Sequence, residues 1–259
     1  MSPLILLIAL PVAAVAALRG VWSPCGLSML SSITPMSEAG RGNRFRTTAA
    51  WFVFGSVVGG LSLGAIAAGA AAGVAALDLT ETTRYGIAAA VAVATSAVDL
   101  GAFGIELPIF KRQVNDSWLR TYRSWAYGAG FGWQIGFGVA TYIMTAGVFL
   151  TITLAVLSAS PLQALAIGAT FGLVRGSAVV IGRSATSPAA LGRVHQRLDA
   201  AAPTARAAAL GVQVLAAAAL ASLAWRPLGF VVAAVAGAVL GLGRMGQRAV
   251  APTGALRPE

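Results

Sequence analysis

Trp22-Ser23-Pro24-Cys25-Gly26 sits inside an apolar run that covers residues 3–35 and carries one charge, Arg19. As a single helix rising about 1.5 Å per residue, this run would be about 50 Å long, too long for one straight crossing of about 30 Å of hydrocarbon and too short for two. It is expected to be broken or steeply tilted, and Pro24 marks the place, because proline cannot continue the helical hydrogen-bond ladder. A second run, 127–158, is equally overlong, and Gly132, Gly136 and Gly138 mark its weak point. Broken backbone at membrane depth is tolerated only where it is buried in protein or lines a cavity. Both long runs therefore point to a shared central site.

Working outward, the 259-residue chain is 58% hydrophobic and 10% charged, with a mean hydropathy of +0.81. An ordinary water-soluble domain carries about 25% charged residues, so the composition excludes that class and predicts an all-α polytopic membrane protein surrounded by lipid. Seven candidate spans emerge: 3–35, 49–76, 85–104, 127–158, 161–182, 206–224 and 227–243. The first 18 residues lack the positively charged start of a signal peptide, so the run reads as a retained span. The formal charge of +10 comes from 18 basic against 8 acidic residues. These lie in the gaps between apolar runs and not in one patch, which speaks against a nucleic-acid partner. Arg41, Arg44 and Arg46, then Lys111, Arg112, Arg120 and Arg123, then Arg183, Arg193 and Arg197 occupy alternate connections. By the positive-inside rule these connections are cytoplasmic, with the N-terminus outside and the C-terminus inside the cell membrane.

Phe54-Gly55-Ser56-Val57-Val58-Gly59 matches Phe171-Gly172-Leu173-Val174-Arg175-Gly176, and Trp22 in the first span has a counterpart in Trp133 of the fourth. These matches define two three-span units, repeat one at 3–104 and repeat two at 127–224. An odd number of spans inverts the second unit, an architecture many transporters use with the site at the repeat interface. One transmembrane domain, 1–243, then includes an accessory helix at 227–243, followed by a cytoplasmic tail at 244–259.

The residues Ser23-Pro24-Cys25, followed by Pro35 and a basic connection, with Gly132-Trp133-Gln134-Ile135-Gly136 opening the second half, resemble the cytochrome c biogenesis transmembrane family of the CcdA and DsbD type. The resemblance implies inverted three-helix repeats, each with a Pro-Cys element in its first helix, whose two cysteines pass reducing equivalents across the membrane. This chain departs from the pattern at Ser28, where the family has a second proline, and at Ile135-Gly136, where it has its second Pro-Cys. Thiol exchange proceeds through a mixed disulfide that a second thiol must resolve. With Cys25 the only cysteine, that thiol has to come from elsewhere, such as a thioredoxin-like partner.

The candidate site comprises Cys25 as the reactive group, with Pro24, Met29, Trp133, Gly136, Arg175 and Asp99 around it. A helix start after Pro24 would offer Cys25 free backbone N–H groups that favour a thiolate, while a packing role as a small hydrophobe carries equal weight. Met29 shares a helical face with Cys25, and such a thiolate and thioether pair is an incomplete soft-metal site for Cu(I). Arg175 either pairs with Asp99 across the repeats or holds an anionic substrate, since a charge in a span normally faces a cavity or a partner. Arg19 is read as snorkelling to the interface. His195 is read as solvated, and Trp118, Trp125 and Tyr127 as an interfacial aromatic belt. No phosphate loop, dinucleotide fingerprint, cofactor motif or hydrolase triad appears. Three functions fit: a thiol-disulfide electron carrier acting through Cys25, a permease for a small solute or metal ion using the broken spans and Arg175, or an accessory subunit whose repeat is an inherited scaffold.

Overall fold

The computed structural model describes residues 3–102 and 118–225, and the regular structure in them is helical throughout. The accessory helix at 227–243, the tail at 244–259, and Lys111 and Arg112 lie outside the described residues. The first long run breaks at Ser23. Helix α1 (Pro3–Arg19) passes through a short 3-10 turn, Gly20–Trp22, to α2 (Pro24–Ser32) and α3 (Pro35–Gly40). Ser23 caps α2 by accepting the Gly26 N–H at 3.1 Å, and Pro24 takes the first helical position, where its missing N–H costs nothing. The other helices are α4 (Phe45–Ala76), α5 (Glu81–Leu100), the short α6 (Trp118–Thr121), α7 (Ser124–Gly136), α8 (Gly147–Leu157), α9 (Pro161–Ser177) and α10 (Pro188–Ala224). The second long run breaks between α7 and α8. Gly138, at φ +75°, takes a left-handed conformation there, packed against Phe171.

Among the described residues, four helical stretches are long and apolar enough to cross a membrane: Pro3–Trp22, Phe45–Ala76, Pro161–Ser184 and Pro188–Ala224. Helix α5 is not among them, its composition diluted by Glu81, Arg84, Thr95, Ser96 and Asp99. Exposed Leu7, Phe54, Ile66, Leu162 and Leu215 present an apolar outer surface suited to lipid. The segment 183–205, read as a connection, is helical from Pro188 onward. Ser187 and Pro188 start α10 there, and Ala190, Val194 and Leu198 bury one face at four-residue spacing.

Helix α4 packs on both α7 and α9, with backbones in close approach. A Cβ on Gly60 would lie 2.2 Å from the Gly168 carbonyl oxygen, and one on Gly136 would lie 2.0 Å from that of Ser56. The Ser56 hydroxyl donates to the Gly172 carbonyl at 2.7 Å, so the two similar segments around Gly55 and Gly172 pack directly on each other. Two apolar clusters make the core. One takes α1 up to Ala17 together with α5, α8, α9 and the C-terminal half of α10; the other begins at Val21 and gathers Met29, Leu30, Ile33, Phe52, Phe131, Val194 and Leu198. The break in the first span is the seam between them.

Candidate functional site

Arg175 occupies that seam. It projects from the last turn of α9 and is 4% exposed. Its Nη1 donates to the Ala17 carbonyl at 3.2 Å and its Nη2 to the Ser23 hydroxyl at 3.2 Å. Ala17 lies in the last turn of α1, and Ser23 caps α2, so one guanidinium ties together the two sides of the break. Gly20 makes room for it: a Cβ there would lie 2.0 Å from Nη1. Cys25, the second residue of α2 and 3% exposed, lies two positions after the Ser23 that this guanidinium bonds. The N-terminal end of a helix carries partial positive charge. Cys25 thus sits where a helix N-terminus and a buried cation converge, and among the described residues no carboxylate lies within salt-bridge distance of Arg175.

The pairing of Asp99 with Arg175, one of the two roles open to Arg175 in the sequence, is not made, because each is engaged elsewhere. Asp99 Oδ1 accepts the Ala146 N–H at 2.7 Å, and Oδ2 accepts the Gln213 side-chain amide at 2.6 Å and the Thr145 hydroxyl. The Arg206 guanidinium reaches the Asp99 carbonyl at 3.2 Å. Asp99 therefore places its carboxyl group at the N-terminus of α8, where the helix dipole favours an acidic partner. The two breaks differ in charge: that before α8 is neutralised by a carboxylate, while that before α2 gains a cation.

Of the remaining sequence-predicted residues, Pro24 and Met29 lie on α2 with Cys25, Met29 packed in the second core cluster. Gly136 serves the α4–α7 contact. Trp133 is not brought to the site; it is 41% exposed, with its indole N–H on the Ser62 hydroxyl at 3.1 Å and its ring stacked on Phe137. Arg19, read as snorkelling, is half-buried, with Nη1 buried without a partner and the guanidinium 5.9 Å from the Trp22 ring centroid.

Two readings are corrected. His195 is not merely solvated: its Nε2 lies 3.2 Å from the Ser31 hydroxyl. That hydroxyl donates to the Leu27 carbonyl at 2.9 Å, so the network assigns the proton of the second bond to His195. Tyr127 is not at an interface belt but 1% exposed, donating to both oxygens of Glu38 at 2.9 and 2.7 Å. Glu38 was missed as a functional residue. It is fully buried and also takes the Thr48 hydroxyl at 2.7 Å and Arg41 at 2.6 Å, locking α3 to α4 and α7. Its one sequence signal is that it is the lone carboxylate among three arginines at 36–48.

No family model matches the chain, and no solved structure matches it. Curated relatives do. The methylamine utilization protein MauF of Paracoccus versutus is 30% identical over 164 residues, which cover 61% of this chain and 58% of the relative. That of Paracoccus denitrificans is 30% identical over 163 residues, covering 61% and 57%. That of Methylorubrum extorquens is 27% identical over 165 residues, covering 62% and 57%. The chain spans less than two thirds of the length of these relatives, and their description is MauF, not a cytochrome c biogenesis protein of the CcdA or DsbD type.

Proposed function

We propose that this membrane protein shares the general role of the methylamine utilization proteins MauF, and that it works as a one-cysteine thiol relay between partner proteins. The observation that carries this reading is the placement of Cys25 at the start of α2, whose capping Ser23 hydroxyl is bonded by the buried Arg175 guanidinium. Electropositive surroundings of this kind are where reactive thiols are found, since the thiolate is the nucleophile.

The missing second cysteine is accommodated if both partners bring cysteine pairs. The Cys25 thiolate attacks one sulfur of an acceptor disulfide; that S–S bond breaks, a mixed disulfide forms, and the acceptor's other sulfur leaves as a thiolate that is then protonated. A thiol of a donor pair, thioredoxin-like in chemistry, next attacks Cys25 Sγ, gives up its proton and frees the acceptor as a dithiol. The donor's second thiol closes its own disulfide and returns Cys25 as the thiolate. Two electrons and two protons pass from donor to acceptor. The inverted arrangement of repeats 3–104 and 127–224, the accessory helix and the cytoplasmic C-terminus belong to this proposal.

The test is capture. In membranes quenched with acid and alkylated, the chain should run as a reducible adduct with a partner, and Cys25→Ser should abolish both adduct and function. A fully functional serine variant would sink the relay and move the account to the permease reading.

A further inference from the structure

We infer that residues 188–202 of α10 form a strap across α2, hinged at Pro203, and that Cys25 meets another molecule only when the strap lifts. The meaning of this as regulation rests on the thiol-relay reading; the strap itself does not. At 37 residues, α10 is about 55 Å long, well beyond a bilayer core. Its two parts differ. Past Pro203 the helix is mostly apolar and packs its buried Ala209, Gln213, Ala216, Ala217 and Leu220 into the bundle, whereas 188–202 carries Arg193, His195, Gln196, Arg197 and Asp199. Pro203 lies inside the helix and has no N–H to offer the Asp199 carbonyl, the usual cause of a helix kink.

The strap is tied to both ends of the stretch that holds the thiol, beside the 3-10 segment Ala178–Ser184 that packs against α2 and α10 alike. The Trp22 indole N–H donates to the Leu198 carbonyl at 2.8 Å, and His195 bonds Ser31 at 3.2 Å. These two contacts bracket Cys25 along the chain, one on each side. Between them, Val194 and Leu198 are buried in the same cluster as Met29, which shares the Cys25 face of α2. A footprint of Ala190, Val194 and Leu198 with two polar latches is small, and contacts of such sparseness open at low cost relative to global unfolding. A buried, 3% exposed thiol that exchanges with partners needs such an opening.

Because Cys25 is the only cysteine, its alkylation by N-ethylmaleimide in membrane vesicles, read by intact mass, reports the opening without background. In the pair Val194→Ser with Leu198→Ser, labelling should accelerate by about tenfold or more as the open population rises. Pro203→Leu, which restores the helical ladder, should slow it. An unchanged rate in the double variant, or a faster rate accompanied by loss of the thermal unfolding transition in detergent, overturns the strap. An unchanged rate in Pro203→Leu overturns the hinge. The relay is tested apart from this: faster alkylation without any partner adduct keeps the strap and fails the relay, whereas a partner adduct with strap-independent alkylation does the reverse.

Discussion

Arg175 and Gly20 are coupled through space, one filling what the other leaves empty. Gly20→Ala places a methyl group within bonding distance of the guanidinium, so the side chain must leave the seam; overpacking of this kind costs about 1–3 kcal/mol. The expected outcome is a lowered unfolding midpoint in detergent together with slower thiol exchange at Cys25. Arg175→Met keeps most of the volume and removes the charge, so it should slow exchange while leaving the Cys25 side chain in place. Cys25, Pro24 and Arg175 were legible because a proline, a lone thiol and a charge stand out against an apolar run. Glu38, Tyr127 and Gln213 were not, since what makes them special is burial and partners brought from distant helices. Tyr127 and Glu38 are 89 positions apart, and no local pattern records their 2.7 Å contact.

Helices α5 and α8 illustrate how charges that look like loop or interface features become parts of another helix's ends. Arg84 donates to the Leu157 and Ser158 carbonyls at 3.4 and 3.3 Å, at the C-terminus of α8, while Asp99 takes the Ala146 N–H at its N-terminus. Helix α5 thus offers a cation and an anion to the two ends of α8 with the signs its dipole favours. Asp99→Asn should lower the unfolding midpoint by the equivalent of about 0.5–2 kcal/mol, with a larger loss for Asp99→Ala, which leaves the Ala146 N–H unpaired. Gly60→Leu should be worse than either, because the α4–α9 approach leaves no room beside the Gly168 carbonyl. At this scale the sequence was most informative about the breaks, where proline and glycine act locally. It was least informative about 183–205, because the arginines that mark this stretch as a connection lie on a helix whose other face is apolar.

Across the whole molecule, two broken spans carry opposite chemistry at their second helices: a carboxylate at α8, a guanidinium and a thiol at α2. That asymmetry is the reason to look for reactivity at Cys25 alone. The all-helical membrane class followed from continuous apolar runs of span length, in which a helix satisfies its own backbone groups. The pairing of charges across the bundle did not, because Asp99 and Arg175 had nearer partners than each other. The most direct measurement is exchange of Cys25 with the small neutral disulfide 4,4′-dithiodipyridine in native membranes, followed by release of the pyridine thione. One equivalent should be released per folded chain, at a rate about tenfold lower in Arg175→Met, the order expected when electropositive surroundings of a thiol are removed. Exchange that begins only after denaturation, or that ignores the loss of Arg175, would contradict this reading of Cys25.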